Sequence, residues 1–256
     1  MKVAPAFIAA AIGIAFTSTA YAASPIKTVD TGTTEKGAFA ISSGLEFADA
    51  KGSDEFAGLT GEIAYGVSDN VDMSLKGVYL YRDAGASKDA WGGGDPSFEG
   101  KFRFIDEGDS PISVGLISAV KLPSGDKEKG LGNEKTDFLA LIIMSKSFDK
   151  WTVSANLGLC IVGDADKTDS QNEGEIYSIA ARYKLTDALD VMGEFYAENG
   201  AHIRYGHYQY LELDKAVGLG VSYDITNSIS LNAGGIADLN DKNDDVGFNI
   251  SVDFKI

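Results

Sequence analysis

The side chains best suited to chemistry are two histidines, His202 and His207, which lie five positions apart with Glu212 and Asp214 close behind them. Imidazole and carboxylate groups can together bind a divalent metal, but this spacing matches none of the standard zinc motifs. A serine hydrolase would need a nucleophilic serine, and the sequence has no Gly-x-Ser-x-Gly segment. We therefore expect ordinary loop residues here, with no catalytic site, no metal and no cofactor.

The same stretch is a better candidate for binding, because Tyr205, Tyr208 and Tyr210 offer flat apolar faces with hydrogen-bonding tips and Arg204 adds a cation. Two interpretations are open for these solute-contact candidates. The stretch could collect solutes, either at the surface or as an inward-folded constriction. Alternatively, it could be an external β-ribbon that extends two strands.

The single cysteine, Cys160, cannot form an intrachain disulfide, so the chain is not a disulfide-stapled secreted scaffold. We interpret it as a small space-filling residue of the interior. The glycine-rich residues 93–95 precede a predicted strand rather than a helix, and they lack the Lys-Ser/Thr ending of a phosphate loop. They are predicted to lie in a hairpin loop.

The first 23 residues indicate the cellular compartment of the protein. They contain a basic Lys2, a short apolar run and the small-residue pattern Ala20-Tyr21-Ala22. This pattern predicts a secretory signal peptide over residues 1–22, cleaved after Ala22. The net charge of -16 argues against nucleic acid as a partner, because phosphate binding needs a basic face. The sequence therefore predicts an exported protein.

Almost the whole mature chain alternates apolar and polar residues with a period of two, which predicts an all-β protein. In the C-terminal stretch 246–256, apolar residues share one face and polar residues the other, as expected for a strand between lipid and water. We predict a transmembrane antiparallel up-and-down β-barrel of about twelve strands over residues 37–256, preceded by a short periplasmic segment at 23–36. The predicted strands are 37–48, 56–67, 71–82, 96–105, 111–122, 136–148, 151–162, 175–185, 188–198, 215–225, 229–237 and 246–256.

The connections between these strands alternate in length, as those of outer-membrane barrels do. Short turns are predicted near residues 69, 108, 149, 187 and 227, and six longer, mostly acidic loops lie between them. The short turns are predicted to be periplasmic and the long loops external. The acidic loops are interpreted as a hydrated surface, with divalent-cation binding at lipopolysaccharide as the alternative.

The predicted inward face carries charges of both signs, in nearly equal number. Such charges either pair and stiffen a narrow barrel or act as a selectivity filter. A sharper hypothesis is a basic stripe of Lys76, Lys101, Arg103 and Lys121 that faces Glu46 and Glu62 across the lumen. The full set of lumen charge candidates is Lys76, Lys101, Arg103, Lys121, Glu46, Glu62, Arg182, Lys184 and Glu194.

Several stretches in fixed order resemble a known family: GGDPSFEGKFRF (93–104), VKLPSGD (120–126), GLGNEKTD (130–137), YKLTD (183–187) and GEFY (193–196). The chain is similar here to the outer-membrane barrels called meta-pathway phenol-degradation proteins. The resemblance implies an outer-membrane barrel through which hydrophobic or aromatic compounds pass. It implies no particular binding residues.

The sequence therefore favours a channel or passive transporter in the cell outer membrane for small, aromatic or hydrophobic solutes, and not an enzyme. The alternative is a structural or adhesion barrel whose acidic loops contact ions, lipopolysaccharide or a partner. The expected partners are outer-membrane lipid and lipopolysaccharide, the solute, and the barrel-assembly machinery that inserts such proteins.

Overall fold

The computed structural model describes residues 26–49, 55–83, 89–163, 173–201, 213–240 and 245–256, and β-strands are the main regular structure among them. The described residues contain no helix that is long and apolar enough to cross a membrane. The strands are β1 (Phe39–Asp49), β2 (Glu55–Ser68), β3 (Val71–Asp83), β4 (Ala90–Gly93), β5 (Ser97–Ile105), β6 (Ser113–Lys121), β7 (Asp137–Phe148), β8 (Trp151–Ile161), β9 (Glu173–Lys184), β10 (Leu189–Gly200), β11 (Lys215–Thr226), β12 (Ile229–Asp238) and β13 (Val246–Lys255).

These strands close into one antiparallel barrel. Apart from β4 and β5, strands that follow one another in sequence pair with each other, and the final strand β13 pairs with β1 from Ala40↔Lys255 to Asp49↔Val246. The short β4 and the longer β5 both pair with β3, one above the other, so together they fill one position in a ring of twelve. The predicted all-β, twelve-strand barrel is confirmed.

One predicted loop differs from the structure, because residues 90–93, which lie between the predicted strands 71–82 and 96–105, form β4. Three residues, Gly94, Asp95 and Pro96, separate β4 from β5, while the facing strand β3 has only Gly77 and Val78 between its two paired stretches. An extra residue on one strand is a bulge, which bends the strand and re-aims a side chain. Pro96 has no N–H group to donate to the strand ladder, so the sequence indicated a strand start there and did not indicate that β4 precedes β5 along the same facing strand.

The two faces of the barrel differ in chemistry. Outward residues are large, apolar and exposed, such as Leu219 at 74% and Phe248 at 61%. Aromatic pairs stand at both rims of this outward face, with Trp151 against Tyr183 at the short-turn end and Tyr81 against Trp91 at the long-loop end. Such rims are typical of the two interfaces of a membrane.

Strand β7 is apolar on both faces, and the structure gives the reason. Phe138 and Ile142 point outward and are about half exposed, whereas Leu139, Leu141 and Ile143 point inward and are buried. The interior of this barrel is therefore partly apolar. A membrane strand that lines a water-filled lumen would instead carry polar residues on its inward face. Hereafter the two ends of the barrel are called the turn end and the loop end, after their connections.

Candidate functional site

The lumen is crossed by the chain that precedes β1. We call residues 26–36 the lumenal segment. The main-chain N–H groups of Lys27 and Thr28 donate to the Glu194 carboxylate on β10 at 2.9 and 2.8 Å, and the Thr28 hydroxyl donates to it at 2.7 Å. Val29 exchanges two hydrogen bonds with the Asn156 side chain on β8, at 2.8 and 2.7 Å. The first part of the segment is thus held to the wall formed by β8–β10.

The far part of the lumenal segment is held to the opposite wall. The Thr34 N–H donates to both oxygens of Asp72 on β3 at 2.9 Å, and Lys101 on β5 donates to the carbonyl of Gly32 at 3.0 Å. Strands β10 and β3 are six positions apart in the twelve-position ring. Since that places them on opposite walls, residues 28 to 34 span the lumen.

The sequence predicted that residues 23–36 lie in the periplasm, and the structure differs for the part it describes. Ile26, Thr28 and Thr34 are each at most 5% exposed inside the barrel. The physical reason is that the inward carboxylates and amides need donors once they leave water, and an extended main chain supplies them. The alternation of the strands gave inward positions such as Asn156, but nothing local in the sequence links them to a distant segment.

The predicted inward cations have their own partners instead of forming a free stripe. Lys76 lies 2.8 Å from Glu99 and 3.6 Å from Glu62. The expectation that Glu62 faces Lys76 across the lumen is wrong, because the two residues are register partners on adjacent strands. The charge of Lys76 is therefore neutralised locally, which weakens its field on a passing solute.

The other candidates divide between the turn end and the lumen. Arg103 donates to the Asn70 side chain at 2.9 Å and lies 3.2 Å from Asp106, so it braces a turn. Arg182 lies 3.5 Å from Asp30 of the lumenal segment. Lys184 is exposed at the end of β9, and Glu46 is buried on β1.

At the loop end, Lys121 forms the most buried ionic cluster among the described residues. Its ammonium lies 2.6 Å from Asp137 and 3.2 Å from Asp95, and all three side chains are at most 4% exposed. Lys121 also donates to the side chain of Asn133 at 2.6 Å. The bulge between β4 and β5 aims Asp95 inward, so three stretches that carry the family resemblance meet at one ammonium group.

A lumenal apolar cluster, which the sequence did not predict, lies mostly in the loop-end half of the barrel. The ammonium of Lys27 lies over the Tyr196 ring, 4.7 Å from its centroid. Val29 of the lumenal segment packs against the apolar cluster. Its buried members are Ala48, Ile117, Ala119, Leu139, Leu141, Ile143, Cys160, Ile176, Tyr196, Leu213, Ala216 and Ile236. Cys160 is 2% exposed and packs in this cluster.

The candidates Arg204, Tyr205, Tyr208 and Tyr210 lie outside the described residues, as do both histidines, Glu212 and the predicted signal peptide. Asp214 is described and accepts a hydrogen bond from the Asn240 side chain at 2.6 Å. Within the described ranges, no group of three or more His, Cys, Asp or Glu residues is placed to hold a metal ion.

The fold is similar to that of several outer-membrane channels. The COG4313 outer membrane channel from Pseudomonas putida F1 is 14% identical, with a TM-score of 0.67 over 90% of this chain and 100% of that chain. A KdgM porin in complex with oligogalacturonate is 10% identical, with a TM-score of 0.56 over 84% and 98% of the two chains. A NanC porin is 11% identical, with a TM-score of 0.55 over 84% and 100%. At these identities the likeness is one of fold.

A comparison with curated protein sequences finds no match. A family model, in contrast, matches residues 8–255, nearly the whole chain, and includes every strand described above. The chain belongs to the family described as "Putative MetA-pathway of phenol degradation".

Proposed function

We propose that the protein is an outer-membrane channel through which small solutes pass without an energy source. The observation that supports this most directly is the lumenal segment, which crosses a closed barrel but is held mainly by hydrogen bonds to side chains of the wall, outside the strand ladder. A segment of this kind can leave without any strand separating from its neighbour. Its departure would open a path between the two ends of the barrel.

The preferred solutes are aromatic or otherwise apolar and carry few charges. The lumenal apolar cluster supports this, since inward Leu141, Ile176 and Ile236 would contact a solute after the segment and Val29 move aside. The family description, which refers to phenol degradation, agrees with such a solute class. We also propose that the protein has no enzymatic activity and needs no cofactor.

Export and insertion are part of the same proposal. Residues 1–22 would be removed after Ala22, and the barrel-assembly machinery would insert the remainder with the turn end in the periplasm. The acidic long loops would then face lipopolysaccharide. Mass spectrometry of the protein from washed outer membranes should give a mature N-terminus at Ala23, and an intact Met1 would contradict this.

Liposome swelling tests the channel directly. We expect uptake of phenol-sized aromatic acids above that of empty liposomes, and faster uptake by a variant that lacks residues 26–34. Sugars of similar size should enter more slowly, because they bind the apolar cluster poorly. If neither protein exceeds empty liposomes, the channel is excluded and a structural or adhesion barrel becomes the better interpretation.

A further inference from the structure

The loop between β6 and β7, residues 122–136, folds back into the barrel. Its Leu131 is 1% exposed and packs with Leu80 of β3 and Ala90 of β4. Leu80 alternates with the outward residues Tyr79 and Tyr81, so it lies on the inward face. Leu131 therefore contacts the inner wall of the loop end, and the β6–β7 loop occupies part of the mouth.

The buried ion cluster holds both arms of this loop. Asp95 accepts hydrogen bonds from the main-chain N–H groups of Ser124 and Gly125 in the first arm, at 3.0 and 2.7 Å. It accepts another from Asn133 N–H in the second arm at 3.2 Å. Lys121 binds Asp95 and the Asn133 side chain together. One buried ammonium thus connects the barrel wall to both arms.

Glycines let the two arms approach each other and the wall. A β-carbon on Gly132 would come within 2.7 Å of both the Asp95 carboxylate and the α-carbon of Gly125. Gly130 has a φ of 69°, in the left-handed region that favours glycine, and it lies against the guanidinium of Arg82. These close approaches define one conformation of the loop.

We propose that the β6–β7 loop is a fixed constriction at the loop end of the channel, and that Lys121 is its positioning residue. The inference deepens the proposed channel function and rests on it. The lumenal segment lies outside the strand ladder and, as proposed above, can leave, whereas the β6–β7 loop joins two strands of the wall and is anchored by buried charges. The loop therefore sets the size limit that remains after the segment has moved.

The position of the loop can be measured without any transport. In the variant Ala90→Cys with Cys160→Ala, the new thiol lies beneath Leu131, so it should react slowly with a charged, membrane-impermeant thiol reagent. Adding Lys121→Met or Leu131→Ser should raise the reaction rate about tenfold or more, because the loop opens locally. The matched control Lys129→Met, in the same loop but exposed, should leave the rate unchanged.

Conductance of the same proteins in planar bilayers tests the constriction. Lys121→Met and Leu131→Ser should increase single-channel conductance, and Lys129→Met should not. Leu131→Ser lies in the loop and leaves every strand intact, so it remains informative if Lys121→Met does not fold. Heat-modifiability in gels should show that the variants compared are folded barrels.

The outcomes separate the two proposals. Fast labelling of Ala90→Cys without further substitution would overturn the inward position of the loop. Fast labelling after loop release without increased conductance, in a protein that conducts, would overturn the constriction. If labelling behaves as expected but no protein conducts, even without residues 26–34, the channel proposal fails while the anchoring by Lys121 is supported.

Discussion

The two elements that fill the lumen are held in different ways. The lumenal segment is an extended chain whose main-chain donors are spread over Glu194, Asn156, Ser145 and Asp72 on four strands. The β6–β7 loop is held by a buried ion cluster, in which Lys121 lies between two carboxylates, and by the packing of Leu131 on the inner wall. Hydrogen bonds that are distributed along an extended segment can break one after another, whereas a buried ion cluster breaks as a unit. Occlusion at the turn end is therefore displaceable, whereas narrowing at the loop end is permanent.

The largest expected effect is that of Lys121→Met on the stability of the barrel. Removing the ammonium leaves Asp95 and Asp137 buried without a counterion, which costs about 3–5 kcal/mol in comparable sites. Urea unfolding in lipid vesicles measures the loss. The control is Lys146→Met, which breaks an exposed pair with Glu107 and should change stability far less. Equal losses of unfolding free energy in Lys121→Met and Lys146→Met would show that the buried cluster at the loop end is no stronger than an exposed ion pair.

The next effect concerns the lumenal apolar cluster, where Leu141→Ala creates a cavity. Truncation of a buried leucine to alanine typically costs about 2–5 kcal/mol. Ile142→Ala, one residue along the same strand, faces outward at 46% exposure and should cost less. The same unfolding measurement compares them. A larger loss for Ile142→Ala would mean that the interior of the barrel is not packed.

A smaller effect on the barrel, but a large one on the segment, is expected for Glu194→Ala. The variant removes three hydrogen bonds to a charged acceptor, each worth about 1.5–3 kcal/mol to the segment's attachment. Strand pairing is untouched, so barrel unfolding should change little. Trypsin cleavage at Lys27 or Lys36 should become faster than in the control Thr33→Val, whose hydroxyl makes an exposed bond to Asp69.

Unchanged cleavage in Glu194→Ala would show that the segment is held as firmly as the β6–β7 loop. The contrast between the two ends would then be lost.

The smallest effect is that of Lys129→Met at the loop surface. A hydrogen bond from Lys129 lowers the pKa of Asp126 below its ordinary 3.8. The favourable contribution of the ionised carboxylate is complete above that value and disappears as the pH falls below it. In Lys129→Met the pKa of Asp126 should rise toward 3.8, as NMR titration would show, with no change in labelling of Ala90→Cys. Increased labelling would mean that surface charges also anchor the loop.

The architecture was predictable from local alternation. A period of two, interrupted at turns such as Asp149-Lys150, is a local property, and the predicted strands agree with β1–β13 to within a few residues apart from β4. Pairing of sequence neighbours then follows from short connections, and closure between β13 and β1 follows once the edges must be covered. These features depend on residues that are adjacent along the chain.

Only the tertiary structure decided what fills the barrel. Thr28 and Glu194 are 166 positions apart, and Lys121 meets Asp95 and Asp137 only because a bulge and two strand ends converge. The alternation predicts that a residue points inward. It does not predict which inward group that residue contacts, because the contact depends on barrel closure and on the path of a segment outside the strands. The sequence by itself determined the strands that form the barrel wall. Only the folded chain determined that the lumenal segment and the β6–β7 loop lie inside it.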